Sequence, residues 1–175
     1  MKKILAGVVV LLSVAGIGYR VARASAAASA AQVREADRVQ IDKLMWAYVR
    51  ALDTFNPDAY AATYTPDGQF GTGAKAVKGR EALKKMIAGL RKSAADDAAK
   101  GQKHPAMYHM LMNDYVSFSD RDHAHMEAYW LTVFAGDGTK VPVRVAAAGR
   151  EVDELVKVNG NWFIKLRDVT PKDSD

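Results

Sequence analysis

The chain has 175 residues, 49% of them apolar and 26% charged. That is one domain's length and ordinary globular composition, which excludes wholesale disorder and a polytopic membrane protein. The formal charge is +5, but four of the 25 basic residues (Lys2, Lys3, Arg20 and Arg23) lie in residues 1–30, which hold no acid. The remainder carries 21 basic against 20 acidic side chains, a net of +1. Such a body has no field for a phosphate backbone, so no nucleic-acid partner is expected.

Residues 1–30 read as a secretory signal peptide. Lys2 and Lys3 form a positive start, Ile4 to Gly18 an apolar run, and Ala24-Ser25-Ala26 or Ala28-Ser29-Ala30 a small-residue exit. The run is shorter than the roughly 20 residues that span a bilayer comfortably. Residues 31–175 are then the mature domain, with no membrane span, and the bacterial periplasm is the expected compartment. Arg20 and Arg23 beside the cleavage region leave an uncleaved inner-membrane anchor as the alternative. The chain has no cysteine, hence no disulfide, thiol nucleophile or thiolate metal site.

Ala22 to Ala31 is Ala/Ser-rich and expected to lie outside the fold, with order starting near Glu35. Ile41, Leu44, Met45, Tyr48, Val49 and Leu52 recur at helical spacing and form one apolar stripe. Asn56-Pro57 caps and opens a short second helix through Ala59, Tyr60 and Thr63. Pro66-Asp67-Gly68 then turns the chain into a short strand at Gln69-Phe70. Gly79-Arg80-Glu81 opens a third helix with Leu83, Met86, Ile87 and Leu90 buried, and Ser93 to Lys103 reads as a loop. After Pro105 the period becomes two. Tyr108–Phe118, His125–Phe134, Val141–Val152 and Leu155 or Val156 to Arg167 read as strands. The connections at 119–122, Gly136-Asp137-Gly138 and Asn159-Gly160 are turn-like, so the strands form an antiparallel meander. Helices first and a curled sheet second is an α+β layout.

Among candidate chemistry, His123 and His125 share a strand face, but two imidazoles fall short of a zinc site and no metal is expected. No dinucleotide, phosphate-loop, metalloprotease or nucleophile-elbow motif occurs. Asp53 ends the first helix, where the macrodipole disfavours a carboxylate by about 0.3–1 kcal/mol. It has a task elsewhere or bonds to the following loop. Tyr48 is a core aromatic or a hydroxyl donor. His109 shares a strand face with Met107 and Leu111. It is either a core histidine or, beside Asp53, half of an acid–base couple. A hairpin turning at Asp120-Arg121 pairs residues whose numbers sum to about 241, which sets Thr132 opposite His109 with Trp130 on the same face. A slip of one would substitute Tyr129 and Leu131. With Phe70 and Arg167, Trp130 and Thr132 are the candidate substrate-binding residues. An apolar pocket with an indole wall suits an aromatic or polycyclic ligand, and a plain core equally.

Ala47-Tyr48 through Leu52-Asp53, Asn56-Pro57-Asp58-Ala59-Tyr60 and Tyr64-Thr65-Pro66-Asp67-Gly68 resemble the opening of SnoaL-like proteins of the nuclear-transport-factor-2-like superfamily. Gly79-Arg80-Glu81-Ala82-Leu83, Tyr108-His109-Met110-Leu111-Met112-Asn113, Gly149-Arg150-Glu151-Val152-Asp153 and Asn159-Gly160-Asn161-Trp162-Phe163-Ile164 extend the likeness over about residues 35–169. The resemblance implies a cone-shaped α+β barrel, with helices against a strongly curved sheet and a deep pocket inside. It also implies cofactor-free chemistry of the dehydratase, isomerase, cyclase or lyase kind. The dehydratase branch's catalytic Tyr, Asp and His map onto Tyr48, Asp53 and His109. Its second acid falls near Thr132, and Glu151 stands where relatives often carry Tyr. The expected function is a cofactor-independent lyase that eliminates water, formaldehyde or carbon dioxide from a small apolar, aromatic or cyclic molecule. The alternatives are an exported ligand-binding protein or partner subunit, and a ketosteroid-isomerase-like isomerase. A homodimer or homotrimer is the expected assembly.

Overall fold

The computed structural model describes residues 30–102, 105–136 and 140–171. They fall into two units divided after Val39. In the first, residues 30–39 are helical, and Arg34 and Asp37 pair at 3.7 Å across one turn. Helix therefore begins ahead of Glu35 and within the Ala/Ser-rich stretch, because alanine is the strongest helix former. Residues 1–29, which hold most of the expected signal peptide, lie outside the described residues.

The second unit opens with helical residues 40–53 (α1). Their apolar stripe is buried as the spacing predicts: Ile41, Met45, Tyr48 and Val49 all enter the core. The end of α1 is a Schellman motif. Phe55 N–H donates to Leu52 O at 3.1 Å and Asn56 N–H to Ala51 O at 2.8 Å. Phe55 takes the left-handed conformation, φ 46°, that glycine usually supplies there. Asn56 then caps α2 (Pro57–Ala62), its side chain accepting from Ala59 N–H at 3.1 Å.

β1 runs over Tyr64–Phe70, longer than the expected Gln69-Phe70, with an irregular register between Tyr64 and Gln69. That irregularity accommodates Pro66, which has no N–H to give a ladder. A 3₁₀ turn and β2 (Val77–Lys78) follow, then α3 (Arg80–Ala99). α3 absorbs most of the segment expected to be a loop. Its Ala-rich end favours helix, and Lys92 and Asp96 pair at 2.6 Å across one turn.

The remaining strands are β3 (Met107–Phe118), β4 (His123–Phe134), β5 (Arg144–Val158) and β6 (Asn161–Asp168). β5 does not stop at Val152, and β6 does not begin at Leu155 or Val156. The strand continues to a two-residue Asn159-Gly160 turn, with φ 51° and 81°, the pair that suits a tight hairpin. The charges of Glu151 and Asp153, which break the apolar pattern, are buried against a partner on β6. The sheet order is β2-β1-β6-β5-β4-β3, antiparallel except for β1 beside β6. The expected cone is a curved sheet that does not close. The core unites Tyr48, Tyr60, Leu83 and Ile87 of the helices with Val116, Met126, Leu155, Trp162 and Ile164 of the strands.

Gly89 lies inside α3, and a Cβ added there meets nothing within 4 Å. Gly89→Ala should therefore raise unfolding stability by about 0.5–1 kcal/mol, through loss of unfolded-chain entropy alone. A shifted urea midpoint at unchanged slope is the expected reading. A lower midpoint would show that α3 is not the helix described.

Candidate active site

Asp53 is the last helical residue of α1, where its carboxylate faces the negative end of the helix dipole. The compensation comes from the edge strand β3. Asp53 Oδ1 accepts from the backbone N–H of His109 at 3.0 Å and lies 2.8 Å from its Nδ1. Both side chains are mostly buried, at 7% and 19% exposure. An acceptor-only carboxylate requires the proton on Nδ1, so the neutral ring presents Nε2 as its unprotonated nitrogen. The sequence left open whether Asp53 serves the next loop or His109. It serves His109.

β3 and β4 pair with His109 opposite Thr132 and Leu111 opposite Trp130, so the alternative slip to Tyr129 and Leu131 does not occur. Near the turn the paired numbers sum to 242, as in Val116 with Met126. A register shift around Asn113, at φ 53°, restores 241 at the site. The turn lies half a residue later than expected, and the bulge cancels the error.

Six of the seven residues singled out from the sequence line one cavity of about 210 Å³: Tyr48, Phe70, His109, Trp130, Thr132 and Arg167. Asp53 lines an adjoining one of about 530 Å³, which shares His109 with the first and is walled by the end of α3. His109 and Leu52 line both. Trp130 is a fixed wall, because its indole N–H is shared between Arg150 O at 3.2 Å and Val169 O at 3.1 Å. Its ring fills the space that a side chain at Gly149 would need; a Cβ there would lie 2.7 Å from the indole.

Sequence reasoning singled out Arg167 but missed the two carboxylates that pair with it beneath the cavity. Arg167 on β6 is 1% exposed. Its Nη2 lies 2.5 Å from Glu151 Oε1 and its Nη1 3.2 Å from Asp153 Oδ2. Its guanidinium stacks 3.9 Å over the Tyr48 ring, and Nη1 also points to Met45 Sδ at 3.3 Å. Two carboxylates compete for one cation. Burial, against the pull of Arg167, pushes the Asp153 carboxyl up to about 7 and raises that of Glu151. Burial likewise raises the Tyr48 hydroxyl, against the pull of Arg167, so it stays protonated. That hydroxyl bonds to Tyr60, which sits 3.2 Å from the Tyr64 hydroxyl. The signal for this floor was the alternation of Glu151 and Asp153 on one strand face. Counting back from Asn159-Gly160 sets Asp153 opposite Leu166; a bulge after Glu154 moves it to Arg167.

His123 pairs with Asp120 at 3.0 Å, and His125 with Glu154 at 3.0 Å, both on the surface. Among the described residues, no group of three or more His, Asp or Glu is arranged to hold a metal.

The model of the SnoaL-like domain matches residues 33–168. The chain belongs to the SnoaL-like family. This family includes polyketide cyclases and dehydratases. No curated protein matches the chain. Solved structures similar to this SnoaL-like chain include a nuclear-transport-factor-2-like protein with a cystatin-like fold from Novosphingobium aromaticivorans. The two are 19% identical over 83% of this chain and 89% of that one, with a TM-score of 0.64. A second protein from that organism, whose name assigns it provisionally to the scytalone dehydratases, is 22% identical over 78% and 85%, with a TM-score of 0.61. ActVI-ORFA from Streptomyces coelicolor is 18% identical over 76% and 95%, at 0.63. These likenesses establish the fold.

The geometry of this SnoaL-like site generates two predictions. Gly149→Ala should displace the Trp130 indole and cost about 1–3 kcal/mol of stability, as overpacking does. Thermal melting together with Trp fluorescence would report it, and an unshifted melting curve would show that the indole is not held there. The second concerns Asp153, which binds its proton more tightly in the fold than in the unfolded chain. The stability it contributes is full below the usual carboxylate value of about 4 and lost as pH rises through about 7. Relative to Asp153→Asn, the wild type should therefore lose stability between pH 4 and pH 7.5 in urea titrations. A pH-independent difference would contradict the crowded-carboxylate reading.

Proposed function

We propose that this SnoaL-like protein is a cofactor-independent lyase acting on a small, largely apolar aromatic or cyclic molecule. The observation that carries this reading is the pair of bonds that Asp53 Oδ1 accepts from His109, which turns Nδ1 toward the carboxylate and leaves Nε2 as the ring's base beside an apolar cavity. His109 Nε2 removes a proton from the substrate, and the electron pair left behind expels the leaving group. The same proton then passes from the imidazolium either to departing hydroxide, giving water, or to the carbon freed of formaldehyde or carbon dioxide. Asp53 positions the ring and stabilises the transient imidazolium. The Tyr48 hydroxyl, kept neutral by burial and bonded within the tyrosine cluster, donates to the substrate oxygen on which charge develops. Return of the proton to a different carbon would make the same site an isomerase.

The periplasm, after removal of residues 1–30, is the proposed compartment. The exposed row Tyr108, Met110 and Met112 on β3, with Tyr129 opposite Met112, supports a homo-oligomer.

The test is a panel of hydroxylated aromatic and cyclic compounds followed by proton NMR for the organic product left after loss of water, formaldehyde or carbon dioxide. His109→Ala should lower the turnover number by roughly 10²–10⁴. Asp53→Asn should cost a comparable factor, and the double variant little more than either single one. A folded His109→Ala with normal turnover would remove the catalytic role, and a wild type that binds ligands without converting them would identify a carrier.

A further inference from the structure

His109 also lines a third cavity, which the chemistry above leaves unused. It is a groove of about 400 Å³ between α1 and the edge strand β3. Buried Met45, Val49 and Met126 form its floor with Leu111, while Trp46 and Met110 stand on its rim, 68% and 42% exposed. A scattered apolar side chain on a surface is ordinary, but an exposed indole over a preformed apolar groove marks a contact site. The groove shares only His109 and Leu111 with the 210 Å³ cavity.

Its two ends differ in charge. An α-helix rises 1.5 Å per residue and a strand about 3.3 Å, so Asp42 and Asp114 both stand roughly 15 Å from the Asp53–His109 bond. Both line the groove, which places two carboxylates together at its far mouth. Strict alternation from His109 and Leu111 would turn Asn113 to this face. The extra residue at the Asn113 bulge instead leaves Asn113 on the outer face with Tyr115 and Tyr129 and turns Asp114 in. Lys43 and Arg50, the basic residues of α1, are exposed and do not line the groove. A carboxylate mouth, an indole face for cation–π contact and pliable thioether walls are the complement of an amphiphilic cation. We propose that the α1–β3 groove binds an organic ammonium ion, its charged head at Asp42 and Asp114 beside Trp46 and its apolar body on the methionines toward His109. The inference does not depend on the lyase reading.

Three probes with one apolar body test it: 4-phenylbutylammonium, 4-phenylbutanol and 4-phenylbutanoate, titrated at pH 7.5 into the full chain by calorimetry and by Trp fluorescence. The ammonium ion should bind about five- to tenfold more tightly than the alcohol, the scale of an exposed ion pair plus one cation–π contact, and the carboxylate more weakly than the alcohol. Asp114→Asn, at an exposed position, should weaken the ammonium ion about three- to fivefold and leave the alcohol unchanged. Trp46→Leu should weaken it by a similar factor and remove most of the fluorescence response. Salt at about 0.5 M should shrink the advantage of the ammonium ion. Equal binding of the three heads, unchanged ammonium binding in Asp114→Asn, or a full fluorescence response in Trp46→Leu would each overturn the proposal. So would a chain that takes up none of the probes, the result expected if a second copy covers the groove.

Discussion

The bond from the Asp53 carboxylate to His109 joins the end of the first helix to the sheet's edge strand, and the site is assembled around it. One oxygen accepts two donors from one residue, the backbone N–H and Nδ1, so it fixes both the strand's position and the ring's orientation. A carboxylate at the negative end of a helix is unfavourable, and two charge-assisted hydrogen bonds offset that cost. The Schellman turn that follows matters for the same reason. By placing Phe55 in the left-handed region it closes the helix directly after Asp53, so the carboxylate faces β3 rather than another turn of helix.

The opposite side of the cavity depends on a different compromise. A fully buried guanidinium between two carboxylates is costly to desolvate, and removing one partner of such a group typically costs about 3–5 kcal/mol. A hydrophobic trio of equal volume would hold the sheet as well or better. The arrangement gives something an apolar trio would lack: a polar, electrically balanced floor under an otherwise greasy cavity, with Tyr48 stacked against it. The cavity thus has two chemically distinct ends. One bears the His109 imidazole, its Nδ1 turned to Asp53, and the other a buried ion pair between Arg167 and Glu151.

Much of this was legible before any coordinates. The apolar stripe of α1, the Asn56 cap and the Asn159-Gly160 turn are local signals, and local chemistry decides them. Register at His109 was legible by hairpin arithmetic, although two half-errors cancelled, because a bulge at Asn113 is invisible in the residue pattern. The end of α3 was misread because polar residues suggested a loop while alanine content and an i,i+4 pair favoured helix. The two carboxylates of the floor were missed for a deeper reason. Glu151 and Asp153 look like solvent-facing residues that interrupt a strand, and only the long-range pairing of β5 with β6 reveals Arg167 opposite. Charges that neutralise one another across a sheet leave no trace in a one-dimensional hydropathy pattern.

The central claim is that Asp53 holds His109 in the tautomer with its proton on Nδ1, leaving Nε2 as the base. Long-range ¹H–¹⁵N correlation of the His109 ring, recorded at a pH where the ring is neutral, reads this directly. The expected spectrum has a pyrrole-type Nδ1 and a pyridine-type Nε2, and Asp53→Asn should disturb that assignment. A pyridine-type Nδ1, or a fast-averaged pair of shifts in the wild type, would contradict it.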